Sequence, residues 1–458
     1  MPRCLTFVTW LRITALILLM QIFLYVSHYK TDFDDQEDIF FSSRMENLND
    51  YKFIKANFQN ASTGNWQNVG NMTDIKFLVF SAFLDIRKGK SLKIISVTVL
   101  RRKRPNVWCK LWYKDEEFRT KTVPGMFTLI KEHWSLPYSA YFITCPLDDS
   151  KGPDAVSLLT SSEESPKNIL KVIKNYNEDK LWDPDSLSPS LSKLAVCVKP
   201  LHYDYNKVFE LLEFIELHKI MGVDHFYLYN HSVSPQIDCL LQKYQHEGLV
   251  TVLPWQLPLI SQKEIRTEGI FASLNDCLFR TMHNYSHTIF IDFDEYIIPR
   301  NNFTYSELFE QLLESNNNRN KSTFSFKNCF FYRQWPDDPT LFQDPLANNL
   351  ITLRKTRRKT EFHPHRQRSK FIIRPELVNM VGNHFIWEYF NRRKYGVLDV
   401  NPLDAFMHHY RVCEFGGDDC VNQNSTVDQT AYKYKDEMVR AVRGRYNAYM
   451  DQCKFDLF

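Results

Sequence analysis

Residues 288–295 read Thr288-Ile289-Phe290-Ile291-Asp292-Phe293-Asp294-Glu295. The apolar, β-branched run predicts a buried strand over 288–291. An Asp-x-Asp at its end puts Asp292 and Asp294 on one side of an extended segment, because side chains alternate with period 2. Two hard oxygen donors with open positions suit Mg²⁺ or Mn²⁺, which bridge to diphosphate oxygens. Two acids can equally cap a strand at a surface turn, and a bare Asp-x-Asp is a weak signal. Its context decides.

That context alternates strand and helix. Upstream, the pattern predicts strands over 194–201, 224–229 and 249–255, and helices over 208–221, 237–244 and 265–283. Gly222 is a helix stop. Such alternation predicts an α/β fold, a mostly parallel sheet flanked by helices, over 194–412. Ligands of these sheets bind outside the carboxyl ends of the strands, where Asp292 and Asp294 fall. Before it, 74–150 holds short β-branched and aromatic runs, the signal of a small β-rich domain. Residues 151–193 are rich in Ser, Pro, Asp and Lys and are expected to form a surface connector with one short helix at 168–176. Residues 30–73 are polar and read as a stem. The 413–458 tail is polar and aromatic, with no assigned role.

The 458 residues carry 57 Lys+Arg against 54 Asp+Glu, a net charge of +3, so bulk charge gives no support to a nucleic-acid binder. With 44% hydrophobic and 24% charged residues, collagen-like and largely disordered chains are excluded. Residues 13–26 are uncharged, with Gln21 the strongly polar exception. A short membrane span over 13–29 is expected, with 1–12 as a cytoplasmic tail. Arg3 and Arg12 precede the span and acidic residues follow it, giving a single-pass type II signal anchor with the body outside the cytoplasm. The alternative is a cleaved signal peptide, but no small-x-small site follows.

Sequons at Asn60, Asn71, Asn230, Asn284, Asn302, Asn320 and Asn424 agree with a lumenal body. Of 10 cysteines only Cys4 precedes the anchor. Cys109 with Cys145, and Cys413 with Cys420, are candidate disulfides. Cys453 is a candidate free thiol or a link between two chains. The absence of Cys-x-x-Cys spacing argues against a structural zinc site.

Taken together, VCVKPLH, EFIELHKIMGVDHFYLYN, the Asn275-Asp276-Cys277 helix and IFIDFDEYIIP resemble glycosyltransferase family 92. So do SKFIIRPE, Gly382-x-His384 and His409-Tyr410-Arg411. The resemblance runs from about Ile75 to Arg411, in order. It implies a GT-A-like catalytic domain and a single-pass Golgi enzyme, or one in another secretory-pathway membrane. It implies inverting transfer of galactose from UDP-galactose, often as a β1,4 linkage, to fucose or galactose on N-glycans. Mn²⁺, or Mg²⁺, is the implied ion.

Carried onto this chain, Asp294 binds the metal directly, and Asp292 touches ribose or reaches the ion through water. Glu295 and Tyr296 hold the turn. A late histidine completes the metal site in such folds: His384 is the first choice, and His408 or His409 the second. Lys199 and His202 are candidates to line the uridine pocket, with Asn275 and Asp276 pointing into it. Lys370 and Arg374 are candidates for the diphosphate. Inversion needs one general base. Asp337 and Asp338 are the candidates, with Trp335 to stack on a sugar, and Glu361 is another. A solvated turn at 336–339 fits those residues equally. The basic run 354–359 is expected as an exposed loop or as a loop closing over UDP. Two other classes compete: a catalytically inert lumenal glycan-binding protein on the same fold, and a nucleotide-sugar hydrolase, which the lack of a multi-Asp or His-rich cluster disfavours.

Overall fold

The computed structural model describes residues 74–455 apart from 115–118, 149–150, 177–181, 189, 315, 341 and 415–416, together with 61, 63–70 and isolated positions 20, 21, 53 and 58. The expected span over 13–29 lies almost wholly outside them, as do Asn60 and Asn71. Among the described residues no helix is long and apolar enough to cross a membrane. Residues 61–458 form one compact unit.

The β-rich region comprises β1 (Gln67–Asn68), β2 (Leu78–Asp85), β3 (Ser91–Val99), β4 (Trp108–Trp112), β5 (Thr120–Pro124), β6 (Met126–Leu129), β7 (Tyr138–Pro146), β8 (Ala155–Leu159) and β9 (Leu170–Ile173). They make one sheet of order β5-β4-β8-β9-β2-β3-β7-β6, with β1 added to β2. Residues 155–173 of the expected connector therefore belong to this domain. Its apolar runs Ala155–Leu159 and Leu170–Ile173 pair with β4 and β2, so the segment expected as a helix over 168–176 contains a strand. The short run alternates buried and exposed positions, which suits a strand better than a helix. A disulfide joins Cys109 on β4 to Cys145 on β7. Strands β8, β9, β2 and β3 lie between those two in sheet order, so the sheet folds over on itself around a core that includes Val79, Ile94, Leu111 and Ile143.

The second region of the chain runs through β10 (Leu194–Val198), α1 (Val208–Ile220), β11 (His225–Asn230), α2 (Pro235–His246), β12 (Val250–Pro254), α3 (Ile270–Thr281) and β13 (His287–Ile291). It continues through β14 (Glu295–Pro299), α4 (Tyr305–Leu313), β15 (Lys321–Phe326), β16 (Asn328–Tyr332), α5 (Ile351–Arg354), β17 (Arg357–Lys359) and β18 (Lys370–Ile373). The chain ends with β19 (Val378–Val381), β20 (Ile386–Tyr389), β21 (Gly396–Asp399), β22 (Ala405–Arg411), β23 (Ser425–Val427) and α6 (Lys435–Cys453). The main sheet has the order β12-β11-β10-β13-β18-β15-β21. Six of its seven strands run the same way and only β18 is reversed, antiparallel to both β13 and β15, so the sheet is mostly parallel with one antiparallel insertion.

Period 2 along the central strands divides the core. Leu194, Val196 and Val198 of β10 and Ile289 and Ile291 of β13 pack on one face with α1 and α2. Cys197 and Phe290 point to the other face, where α3 meets Phe80, Phe83, Ile95 and Phe142 of the β-rich sheet. Helix α3 is thus sandwiched between two sheets, and every one of its residues is buried. Cys197 is bonded to Cys277 across that face.

The C-terminal segment is part of this fold. Helix α6 packs on α1 and α2, and Cys453 is bonded to Cys239 on α2, so it is neither free nor a link between chains. The free cysteine among the described residues is the buried Cys329. The basic run over 354–359 is also ordered. Arg357–Lys359 pairs with Ser425–Val427, and Arg358 is buried against Asp428 at 3.0 Å. A free loop closing over a nucleotide is not what this segment forms.

Candidate active site

The order β12-β11-β10-β13 reverses between β10 and β13, which opens a crevice at their carboxyl ends. Val198 is in register with Ile291, so the next residues, Lys199 and Asp292, become neighbours across the reversal. Lys370 begins β18, where Phe371 pairs with Phe290, and so approaches from the other side. The result is a carboxylate between two amines: Asp292 Oδ2 lies 3.0 Å from Lys199 Nζ and 3.4 Å from Lys370 Nζ.

After Asp292 the chain turns rather than continuing extended. Phe293 is buried in the core against Tyr205 and Phe214, and it anchors the turn. Glu295 locks it by accepting from the Asp292 N–H at 2.8 Å, and it also faces Lys370 Nζ at 3.3 Å. The two aspartates therefore line one cavity but meet different partners.

Asp294 meets His409. A small sheet of order β14-β22-β16 puts Glu295 opposite His409, and the Tyr410 N–H donates to the Asp294 carbonyl at 2.8 Å. His409 Nε2 then lies 3.3 Å from Asp294 Oδ2, while Nδ1 lies 3.4 Å from Glu295 Oε1. Cis ligands of an octahedral ion with bonds of ~2.1 Å stand ~3 Å apart, so Asp294 and His409 are spaced to share one cation. Glu295 on the Nδ1 side is the kind of second carboxylate that orients a ligating imidazole. Asn328 Nδ2 lies 2.9 Å from Nδ1, and its buried Oδ1 has no partner among the described residues. With that amide turned over, Oδ1 accepts from Nδ1–H and Nε2 presents its lone pair.

Among the described residues no group of three or more His, Cys, Asp or Glu side chains could hold a metal ion unaided. Two donors fit Mg²⁺ or Mn²⁺ with the remaining positions taken by water and phosphate oxygens.

The electrostatics agree with this division of labour. Burial works to raise the Asp292 carboxyl, but the charges of Lys199 and Lys370 outweigh it and bring it down to about 2. Burial likewise opposes ionisation of Asp294, and the charge and hydrogen bond of His409, with Lys199 behind, hold it well below the usual carboxylate range. Burial pushes Glu295 up, with Lys370 opposing it.

The cavity around these groups has a volume of about 730 Å³. Cations dominate its wall: Lys199 and Lys207 on one side, Arg333 and Arg411 on another, and Arg366 and Arg368 from the 363–369 loop. Arg366 and Arg368 sit at φ 68° and 61°, a left-handed backbone that seldom hosts such side chains and that clusters at functional sites. These arginines escape sequence reasoning, since nothing in His365-Arg366-Gln367-Arg368 distinguishes a site from a solvated loop.

Several expected site residues lie elsewhere. His384 lines the cavity, but its Nε2 faces Asn383 at 3.1 Å, and its imidazole is pushed down to about 4 by burial and Lys370. A neighbouring ammonium disfavours a second cation there, so the order of preference between His384 and His409 is reversed. His408 points the opposite way along β22, into the core. Asn275 is buried, with its Nδ2 donating to the carbonyls of Phe271 and Val381 and its Oδ1 accepting from the Val381 N–H. Asp276 accepts from Ser81, from Tyr229 at 2.7 Å and from Arg280 at 2.5 Å, so the polar groups of both residues are taken up in joining α3 to its neighbours.

His202 is not among the cavity-lining residues, and its ring packs edge-on to Tyr203. Asp337 pairs with Lys355 at 2.5 Å, and Asp338 accepts from Thr356 at 2.5 Å and from Gln429 at 3.1 Å. Neither borders the cavity, nor does Glu361, and Trp335 is buried with its Nε1 donating to Val421. The 336–339 turn is structural. Arg374 is spent on the carbonyls of Arg319 and Leu187.

The carboxylate missed from sequence is Glu132, which the β-rich domain lends to the cavity. Its Oε2 accepts from the Asn383 N–H at 3.0 Å and from Trp387 Nε1 at 3.3 Å. This approach needs Gly382, because a Cβ there would stand 2.5 Å from that same oxygen.

Comparisons with known proteins give the family. Residues 192–454 match the profile of Glycosyltransferase family 92, more than half of the chain. The Caenorhabditis elegans protein named Beta-1,4-galactosyltransferase galt-1 is 25% identical over 225 residues, covering 48% of this chain and 51% of its own length. A second C. elegans protein, Glycosyltransferase family 92 protein F13G3.3, is 26% identical over 226 residues, covering 47% of this chain and 42% of its own. The chain thus spans about half the length of the curated relatives it matches. Among solved structures, Staphylococcus aureus TarS 1–349 gives a TM-score of 0.26 at 15% identity, covering 58% of this chain and 75% of that one. Its complex with UDP-GlcNAc gives 0.25 at 13%, covering 58% and 77%.

Proposed function

Since the chain belongs to glycosyltransferase family 92, we propose that the site is that of a metal-dependent inverting glycosyltransferase moving galactose from UDP-galactose to a fucose or galactose of an N-glycan. The observation that carries the reading is the Asp294–His409 pair at the carboxyl end of β13, with Asp292 held between Lys199 and Lys370 beside it. The donor and the β-linkage are supported by the name of a relative only 25% identical, and the acceptor class by the family resemblance.

Asp294 and His409 would hold the Mn²⁺ or Mg²⁺. Once bound, such an ion neutralises charge developing on the leaving diphosphate. Lys199 and Lys370 fix Asp292 as a carboxylate facing the nucleotide side. Arg366 and Arg368 add two further cations to the cavity wall, which favours the diphosphate there.

Transfer needs a base on the acceptor hydroxyl. Of the cavity carboxylates, Asp292 and Glu295 face lysines, Asp294 faces His409, and Glu414 pairs with Arg411 at 3.0 Å on a 59% exposed side chain. Glu132, held by neutral N–H donors, is left for this role. The acceptor oxygen forms a bond to the galactose anomeric carbon as its proton passes to Glu132. The bond from that carbon to the diphosphate breaks, and its electron pair leaves with UDP.

The same reading takes residues 13–29 as a type II anchor in a Golgi or other secretory-pathway membrane, with the body lumenal. Four disulfides among the described residues support an oxidising compartment. The test is UDP release from a panel of UDP-sugars, with Mn²⁺ or EDTA, with and without an N-glycan pool. Release confined to UDP-galactose, dependent on Mn²⁺ and raised by acceptor supports the reading. No release from any donor by folded protein sinks it.

A further inference from the structure

The turn between β6 and β7 leaves the β-rich sheet and docks on the catalytic domain at the mouth of the cavity. Glu132 bonds to Asn383 and Trp387, and the Tyr138 N–H donates to the Glu264 carbonyl at 2.9 Å. Between those two anchors, Trp134 and Ser135 both take left-handed backbone, at φ 55° and 57°. Neither is a residue that adopts it cheaply, so the surrounding contacts hold Trp134 against its own preference. The strain does not serve packing, since Trp134 remains 61% exposed.

A single exposed apolar side chain is ordinary. This one lines the cavity, and among the described residues Val412 is the other exposed large apolar residue that does so. The Arg266 guanidinium lies 4.1 Å from the Trp134 ring centroid, which fixes the indole plane. Arg266 is itself held, with Nη1 donating to Gln262 at 2.6 Å. It opens a second strained turn, in which Thr267, Glu268 and Gly269 take φ 38°, 51° and 75° in succession. Arg266 and Thr267 also line the cavity. Two strained turns from two domains thus meet at one mouth and present an aromatic plate beside polar groups.

We propose that Trp134 is the stacking platform of an acceptor-saccharide subsite, shared between the β-rich domain and the turn before α3. The ligand class is a neutral pyranoside at the end of a glycan. Its C–H face lies on the indole, and its hydroxyls meet Thr267, Arg266 and the Glu132 carboxylate. The β-rich domain then selects the acceptor, while the catalytic sheet binds the donor. This inference rests on the transferase reading for its biological meaning, but saccharide binding is measurable without turnover.

The experiment is saturation-transfer NMR on the full chain with UDP and Mg²⁺, using methyl β-galactopyranoside and methyl α-fucopyranoside as probes. Trp134→Ala and Trp134→Phe are compared with wild type, alongside initial rates with UDP-galactose. The expected result is saturation of the sugar ring protons in wild type, retained in Trp134→Phe and lost in Trp134→Ala. The KM for acceptor should rise about tenfold in Trp134→Ala, with the KM for UDP-galactose unchanged. An equal sugar signal in Trp134→Ala, or none in wild type with either probe, overturns the subsite. A Trp134-dependent sugar signal in a protein that turns over no UDP-sugar upholds the subsite and removes the transferase reading instead.

Discussion

Asp294 Oδ2 and His409 Nε2 stand 3.3 Å apart because the register between β14 and β22 sets Glu295 opposite His409. Asp294 sits in the turn just ahead of β14, and its carbonyl extends the ladder by accepting from the Tyr410 N–H, so the backbone holds both side chains in place. His409→Ala should raise the Mn²⁺ concentration needed for half-maximal UDP release and lower the maximum by ~100-fold. His384→Ala should leave that Mn²⁺ requirement unchanged. A metal titration of both variants decides between them, and the opposite pattern would restore His384 as the ligand.

Lys370 is 2% exposed and faces both Asp292 and Glu295. Removing it takes a buried ammonium from two carboxylates, leaving Asp292 with Lys199 and Glu295 with the Asp292 N–H and His409, and breaking a buried pair costs ~3 kcal/mol. Lys370→Met should therefore lower the urea midpoint by that equivalent, whereas Lys199→Met, whose side chain is 33% exposed, should weaken donor binding with a smaller loss of stability. A Lys370→Met protein as stable as wild type would contradict the buried network.

His218, His287 and His408 are buried and neutral, pushed down to about 4, 3 and 3 chiefly by loss of solvent. Unfolded histidine titrates near 6.5. Below that value the unfolded chain takes up protons that the folded chain refuses, so stability rises with pH in this window and falls as pH drops from about 6.5 toward 4. Each of the three contributes a slope of roughly 1 kcal/mol per pH unit there. Glu213 and Glu376, raised to about 7 by burial, act in the opposite sense between their unfolded value and pH 7. Urea titrations at several pH values should give a shallower acid-side slope for His287→Leu than for wild type. Identical slopes would mean that His287 charges in the folded state.

The hydrophobic layers were legible because period 2 in β10 and β13 and the helical runs between them leave few alternatives. So was the site's position, since an acidic pair after a buried strand in an α/β run marks a strand end at the crevice. Partners were not legible. The placing of His409 beside Asp294 follows from the register of β14 with β22, which no local spacing encodes. Asp276 looks like a site residue in a helix before the motif, yet it is consumed by Arg280, Tyr229 and Ser81 across a domain junction. Glu132 and Trp134 come from a different domain, where only the three-dimensional docking of a turn gives them meaning. Residues 151–193 read as a surface connector and 413–458 as a tail with no assigned role, because their short apolar stretches are completed by distant strands and helices.

Cys329 is buried, and its thiol is pushed up to about 11 chiefly by burial. It should resist alkylation at neutral pH until denaturant is added, while the other described cysteines stay bonded. The Cys239–Cys453 bond closes a loop of 214 residues and clamps α6 to α2. Cys239→Ser should cost ~2–5 kcal/mol and make α6 the first segment cut by protease. Rapid labelling of native Cys329 would contradict the packing of β16.

Glycan occupancy tests the lumenal reading. Asn284, Asn320 and Asn424 are exposed, while Asn230 and Asn302 are half-buried at a strand end and before a helix cap. Peptide mapping after glycosidase treatment should find modification at the first three and little at the last two. Five unmodified sites in protein secreted from a eukaryotic host would contradict a lumenal body.

The most direct test of the central claim is transfer of labelled galactose from UDP-galactose to an N-glycan pool, comparing wild type with Asp294→Asn in matched Mn²⁺. The site described here predicts acceptor-dependent, EDTA-sensitive product with wild type, and at least ~100-fold less with a folded Asp294→Asn protein. Equal product from the two proteins, or product that survives EDTA, would contradict the assignment of Asp294 and His409 as the metal-holding pair of a glycosyltransferase.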